Sequence, residues 1–269
     1  MSTVVCFHAH PDDEALLTGG SIARWHAERH RVVLVVATDG EAGLTDAWRT
    51  GTSSLAEIRR AELGRAGEAL GLDRIVFLGF PDSGWHTGSA PAPGSFATAD
   101  VASAAARLAA VLEEESADVL TVYDAAGGYG HPDHVQVHRV GLAAAKLART
   151  PVVLEATVDR RALLRAVRFV EWVPGLPDGF SRRALAASFA DPALLTHRVD
   201  VLGQIDRKRA ALKAHASQQG GPADRTVSWF LRLPRPVFQR VFRYEWFIRH
   251  GSRPGRPLAT DPLADDGRC

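Results

Sequence analysis

Residues 1–158 predict an α/β fold: a mostly parallel sheet with helices on both faces. Three observations point there. Five short apolar runs alternate with four longer segments rich in alanine and leucine, each polar on one side. Two histidine-rich turns, His8-Ala9-His10-Pro11-Asp12-Asp13-Glu14 and His131-Pro132-Asp133-His134, directly follow or lie shortly beyond the first and fourth apolar runs. Two long loops leave the second and third runs, so all four features are expected to ring one crevice at the carboxyl ends of the strands, where open α/β sheets bind ligands.

The strands are expected at Val4–Phe7, Val32–Ala37, Arg74–Leu78, Val119–Tyr123 and Val152–Thr157. The helices are expected at Asp13–His30, Leu55–Leu70, Ala99–Ser116 and Asp133–Arg149. The loops are Asp39–Ser54, which opens Asp39-Gly40-Glu41-Ala42-Gly43, and Phe80–Ala97, which carries Pro81-Asp82-Ser83-Gly84-Trp85-His86. Beyond Thr157 the alternation fades. A short helix at Asp159–Glu171, a turn-rich break at Val173–Gly179, a strand at Thr196–Val201 and a helix from Gln204 to about Ser217 are expected. This divides the chain into a catalytic domain over 1–158, a smaller cap or substrate subdomain over 159–250 and a loose tail over 251–269.

Composition narrows the class of function. The chain has 269 residues, 46% hydrophobic and 23% charged, with a net charge of +1. That is ordinary for a globular protein with a sizeable core and predicts no strong electrostatic partner. Residues 204–250 are arginine-rich, and a solvated helix face is the plainer reading of them. No nucleic-acid-binding module is recognisable. No apolar run reaches the roughly 18–20 residues of a membrane span, and no secretory leader is read at the N-terminus. The two cysteines, Cys6 in the first strand and Cys269 at the end, do not make a disulfide framework. A cytoplasmic location is the default expectation, and a homo-oligomer is compatible with the composition.

The two histidine turns carry the chemistry. His10 and Asp13, three apart at a strand-to-helix turn, can reach one point beyond the strand end. His134 on the fourth turn supplies a third ligand, which leaves a position for water, as hydrolytic zinc sites do. Asp12 is then beside the ligands without being one, the natural place for a general base. His131 is expected to donate to an oxyanion or a leaving amine, and Asp133 to hold its ring. The competing reading for each residue alone is a helix cap or a carboxylate favoured by the helix dipole. His8, His26, His30, His86, His138, His197 and His250 are read as surface or packing residues.

Ala9-His10-Pro11-Asp12-Asp13-Glu14 together with Gly130-His131-Pro132-Asp133-His134 resembles the PIG-L/LmbE family of zinc-dependent N-deacetylases. The resemblance extends through Thr38-Asp39-Gly40-Glu41-Ala42-Gly43, Arg59-Arg60-Ala61-Glu62-Leu63, Leu78-Gly79-Phe80-Pro81-Asp82-Ser83-Gly84 and Ala214-His215-Ala216-Ser217-Gln218. It implies a Rossmann-like fold and hydrolysis of an N-acetyl group from an N-acetylglucosamine-type sugar. It implies one Zn2+ per chain, with Fe2+ as the alternative, on His10, Asp13 and His134. Asp12 would be the base, with His131 its partner. Tyr129 matches a tyrosine aimed at the substrate carbonyl, and Arg59 and Asp82 fall where relatives hold sugar hydroxyls. From the residues alone, Arg59 reads equally as a helix-surface charge and Asp82 as a turn residue.

Gly127-Gly128-Tyr129-Gly130 and the Ala-His-Ala-Ser-Gln run resemble the branch acting in mycothiol metabolism. Leu17 departs from it, standing where those relatives tend to carry a polar or basic residue. Two other functions compete: a zinc amidase cutting a larger acyl–amine conjugate, and a non-catalytic sugar-binding homologue, which would need neither Asp12 nor His131.

Overall fold

The computed structural model describes residues 1–43, 53–85, 89–164, 188–219, 225–252 and 257–264. Five strands, β1 (Thr3–His8), β2 (Arg31–Thr38), β3 (Arg74–Phe80), β4 (Val119–Tyr123) and β5 (Val152–Thr157), pair in parallel. Two more, β6 (His197–Asp200) and β7 (Tyr244–Arg249), continue the same sheet: β7 runs antiparallel to β5, and β6 antiparallel to β7. The order across the seven strands is β3-β2-β1-β4-β5-β7-β6. The chain leaves β1 toward one side and reaches β4 on the other, so the order reverses between these two strands. A crevice opens at their carboxyl ends, and each of the two histidine turns follows one of them.

Successive side chains of a strand face opposite sides, and both sides of this sheet are dry. Val4 and Cys6 of β1 share one core with Leu34 and Val36, under the helices α1 (Gly19–Ala27), α2 (Leu55–Leu70) and α5 (Ile205–Ala214). Val5 and Phe7 share the other with Leu108, Ala105, Val137 and Val140, under α3 (Val101–Glu114) and α4 (Pro132–Ala148). Sequence signals set the helix ends. Ser54 and Glu57 close a capping box on α2, whose last turn ends on Gly71 at φ 83°. Asp100 caps α3 through the Ser103 amide.

The expected first helix is divided. A π-type turn, Glu14–Thr18, precedes α1. The strand β7 and the helices α6 (Arg225–Arg232) and α7 (Arg235–Phe242) go beyond the expected elements. The region expected as a cap thus also supplies two strands and the helix α5. Residues 160–164 are helical, while the rest of the expected helix to Glu171 and the break at Val173–Gly179 lie outside the described residues. Within the stretch expected as a tail, Ala259 bridges His197: the Arg198 amide donates to its carbonyl (2.8 Å) and its own amide donates to Thr196 (2.8 Å). Among the described residues no helix is long and apolar enough to cross a membrane.

Burial pushes the Cys6 thiol up to about 12, against an opposing hydrogen bond with Thr121. Since the thiolate is the reactive form, Cys6 in a Cys269→Ser variant is expected to resist thiol reagents while the protein is folded. One equivalent should appear on denaturation. Labelling of the folded protein at the rate of a free thiol would contradict this packing.

Candidate active site

The β1 turn is held in a conformation an L-residue rarely adopts. Asp12 has φ 118°, and such backbone costs on the order of 1–3 kcal/mol unless its surroundings impose it. Here they do. The Asp12 amide donates to Glu14 Oε2 (2.9 Å), and its carbonyl accepts from the amides of Ala15 (3.1 Å) and Leu16 (3.4 Å). The π-type turn follows directly, a feature that concentrates at functional sites.

His10, Asp13 and His134 each offer a ligand atom within 4.8 Å of the others. Asp13 stands between the two rings: Oδ2 is 3.3 Å from His10 Nδ1, and Oδ1 is 3.4 Å from His134 Nε2. His10 Nε2 is 3.1 Å from Asp133 Oδ2, where its proton has an acceptor, so a neutral His10 presents a bare Nδ1 to the Asp13 carboxylate. Among the described residues His134 Nε2 is buried without a hydrogen-bond partner. Three acceptor atoms turned on one point in a buried setting fit a divalent cation. The Tyr123 ring stacks on His134 at 4.3 Å, and its hydroxyl pairs with His8 Nδ1 (2.9 Å), which fixes the plane of the His134 ring.

Asp12 stays outside this group. Burial, opposed by the Arg59 guanidinium 4.0 Å away and reinforced by Asp13, takes its carboxyl up to about 6. A base with a pKa near the working pH is the one best placed to take and release a proton. Arg59 is 4% exposed, so the surface-charge reading fails. Its Nη1 donates to the Gly40 carbonyl (2.8 Å), and the site has no room for a larger residue there: a Cβ on Gly40 would lie 1.8 Å from Nη1.

His131 is the N-cap of α4, and its Nδ1 accepts the Asp133 amide (3.2 Å). The neutral ring therefore carries its proton on Nε2, free to donate. Burial, then His134 and His10, hold its pKa down to about 3, so neutral is its resting form. Asp133 differs from expectation. Its Oδ2 is 3.8 Å from His131 Nδ1, whose lone pair is already occupied. Instead it accepts from Ser83 Oγ (2.6 Å) and His10 Nε2, so it orients a candidate metal ligand rather than His131. Asp82 joins it there: Oδ1 lies 3.6 Å from His10 Nε2 and accepts the Gly84 amide (3.0 Å). Tyr129 is 56% exposed, with its ring centre 5.9 Å from His131 and 5.2 Å from His134.

Four further residues build the site. Trp85 sets its ring edge-on to His131 at 5.1 Å. Ser83, Tyr123 and Asp124 act behind the front row. Asp124, fully buried, gathers the amides of Ala126 (3.0 Å), Gly128 (3.1 Å) and Ala190 (3.0 Å), and so shapes the loop bearing Tyr129. Ser83 and Trp85 sit next to Asp82 in sequence and were findable there; Tyr123 and Asp124 read only as the end of a strand. Of the histidines read as packing residues, His8 bridges Tyr123 and Thr18, His138 bonds the Tyr123 carbonyl (2.9 Å), and His86 lies outside the described residues.

Fold and site together define a Rossmann-like α/β hydrolase with a His–Asp–His cluster and a spare carboxylate beside it. The model of the PIG-L family, described as GlcNAc-PI de-N-acetylase, matches residues 5–145. A 1D-myo-inositol 2-acetamido-2-deoxy-α-D-glucopyranoside deacetylase of Thermobifida fusca is 36% identical over 275 residues, spanning 93% of each chain. One of the same name from Thermobispora bispora is 35% identical over 98% of this chain and 93% of its own. The chain belongs to the PIG-L family, and it is a deacetylase acting on an amide C–N bond. Among solved structures, N,N′-diacetylchitobiose deacetylase from Pyrococcus horikoshii superposes with a TM-score of 0.57 at 22% identity, over 92% of this chain and 83% of that one. GalB, a 4-carboxy-2-hydroxymuconate hydratase from Pseudomonas putida, reaches 0.59 at 19% identity, over 96% and 100%. The fold therefore hosts more than one reaction, and the site rather than the fold must carry the assignment.

Proposed function

We propose that this protein removes the N-acetyl group from an N-acetylglucosamine glycoside, and that the glycoside is 1D-myo-inositol 2-acetamido-2-deoxy-α-D-glucopyranoside. One observation carries the chemistry: three ligand atoms converge while the carboxylate of the neighbouring Asp12 is left over. Both relatives described above match nearly end to end and carry that substrate in their names.

His10, Asp13 and His134 would hold a divalent cation, zinc or iron(II), which when bound would supply Lewis acidity toward the acetyl carbonyl and toward water. Asp12 accepts the proton of the attacking water and returns it to the departing amine nitrogen. His131 donates from Nε2 to the acetyl oxygen as negative charge develops there, and the exposed Tyr129 phenol offers a second donor. Arg59 opposes protonation of Asp12. Asp133 and Asp82, both beside His10 Nε2, hold that ring in place and make it a stronger donor to the cation. The bond broken is the amide C–N, and the products are acetate and the free amino sugar.

The test is amine release by the metal-loaded protein from three substrates: the inositol glycoside, N-acetylglucosamine, and an acyl-cysteinyl amide of the glucosaminyl-inositol. The expected result is the highest kcat/KM on the first. Preference for the third would favour the amidase reading, and no release from any would overturn the proposal.

A further inference from the structure

Glu14 directly follows the ligand Asp13 and is fully buried, yet both its carboxylate oxygens are in use. Oε2 accepts the backbone amide of Asp12 (2.9 Å), the residue at φ 118°. Oε1 accepts from His215 Nε2 (2.7 Å). His215 follows α5 immediately, is 1% exposed, and comes from beyond the 5–145 segment that matches the family model.

The turn bearing His215 is itself tied down. The amide and the hydroxyl of Ser217 both donate to the buried Glu62 on α2, each at 2.7 Å, and Gln218 Nε2 donates to Ser217 Oγ (2.9 Å). A chain of contacts therefore runs from α2 through the 215–218 turn to Glu14, and ends on the peptide that aims the Asp12 carboxylate.

Such a pair is a weak source of stability, because desolvating two charges offsets most of their attraction. Its geometry suits another purpose. An aspartate amide at positive φ has no helix or strand partner, and in this turn Glu14 is what holds it. With His215 gone, the carboxylate of Glu14 loses the donor that fixes its second oxygen, and nothing else bonds Oε1 among the described contacts.

We propose that His215 is a positioning residue for Asp12, acting through Glu14 on the Asp12 backbone, so that the carboxyl-terminal part of the chain completes the catalytic turn. This rests on Asp12 being the general base. The residues Ala214-His215-Ala216-Ser217-Gln218 are then a piece of the active-site scaffold rather than the end of a covering helix.

Amide side chains separate the two ring nitrogens of His215. His215→Gln places a donor near the Nε2 position and can reach Glu14; His215→Asn places one near Nδ1 and cannot. In the metal-loaded full-length protein, His215→Asn is expected to lower kcat by about 10–100-fold, the usual scale for a supporting partner, with KM and metal content unchanged. His215→Gln should recover most of that loss. In an Asp12→Ala background, His215→Asn should cost less than about two-fold more, because the group it positions is gone. If His215→Asn does not fold, the isosteric Glu14→Gln takes its place: one acceptor oxygen then serves two donors, and the same kcat-only loss is expected. Equal losses for Gln and Asn, a fall in metal content, or a full additional loss in the Asp12→Ala background would overturn the positioning role alone. Near-normal turnover by Asp12→Ala would overturn the base assignment and this role with it.

Discussion

Asp12→Ala is expected to hold its metal as the unaltered protein does and to turn over about 10²–10⁴-fold more slowly, the range general-base catalysis contributes. The two halves of that result come from different atoms. The converging ligand atoms belong to His10, Asp13 and His134. The Asp12 side chain touches none of them as a bond partner, and its nearest ion-pair partner is Arg59 at 4.0 Å. The backbone of position 12, by contrast, is fixed by Glu14, Ala15 and Leu16 and survives the substitution. Alanine at φ 118° keeps the strain, and glycine would relieve it. Asp12→Gly should therefore lose turnover as Asp12→Ala does while unfolding no earlier. Kinetics with metal analysis on both variants checks this. A near-normal kcat would place the base elsewhere, and loss of metal would make Asp12 a ligand.

Much of the fold was legible because its signals are local. The edges of all five parallel strands fall within two residues of the apolar runs, and α2 matches Leu55–Leu70 residue for residue, since Ser54, Glu57 and Gly71 mark its ends. The strand β7 was not legible. Tyr244-Glu245-Trp246-Phe247-Ile248-Arg249 sits in an arginine-rich stretch, and its pairing with β5 and β6 is a long-range event that no local pattern announces. Glu245 shows why: buried in that strand, it accepts the amides of Gly20 and Ser21 at the start of α1 and pairs with Lys208 at 2.6 Å. A charged residue in a core is satisfied by partners more than 30 positions away, so in sequence it reads as surface.

The same limit shaped the reading of the site. Residues that sit together in a motif, His10 with Asp13 or His131 with His134, declare their chemistry by spacing. Partnerships between motifs do not. Asp133 lies two residues from His131 and was assigned to it, but α4 begins at Pro132 and turns the carboxylate toward Ser83 and His10, 50 and 123 positions away. Spacing alone left Arg59 readable as a helix-surface charge, and only the family resemblance marked it out; the fold shows it buried, with its guanidinium on the Gly40 carbonyl.

His134→Ala is expected to lose the metal itself. Metal analysis of the purified variant should fall from one divalent ion per chain toward none, with activity falling further than in Asp12→Ala. Of the three proposed ligands, His134 stands apart in sequence. His10 and Asp13 share the β1 turn, whereas His134 projects from the first turn of α4, 121 positions beyond Asp13. Of the three proposed ligands it alone comes from the β4 side of the crevice. Without it, one imidazole and one carboxylate remain, short of the three protein ligands such centres use. The fold should tolerate the change: Tyr123 loses a stacking partner, but its hydroxyl keeps His8 and α4 keeps its cap on His131. Asp133→Asn separates ligand from support. It leaves all three ligands and weakens only the bond behind His10, so a loss of about 10–100-fold in metal affinity is expected rather than an empty site. Wild-type metal stoichiometry in His134→Ala, under conditions where Asp133→Asn is weakened, would remove His134 from the ligand set. The centre would then be His10 with His131 and Asp133, the second group whose ligand atoms lie within 4.8 Å of one another.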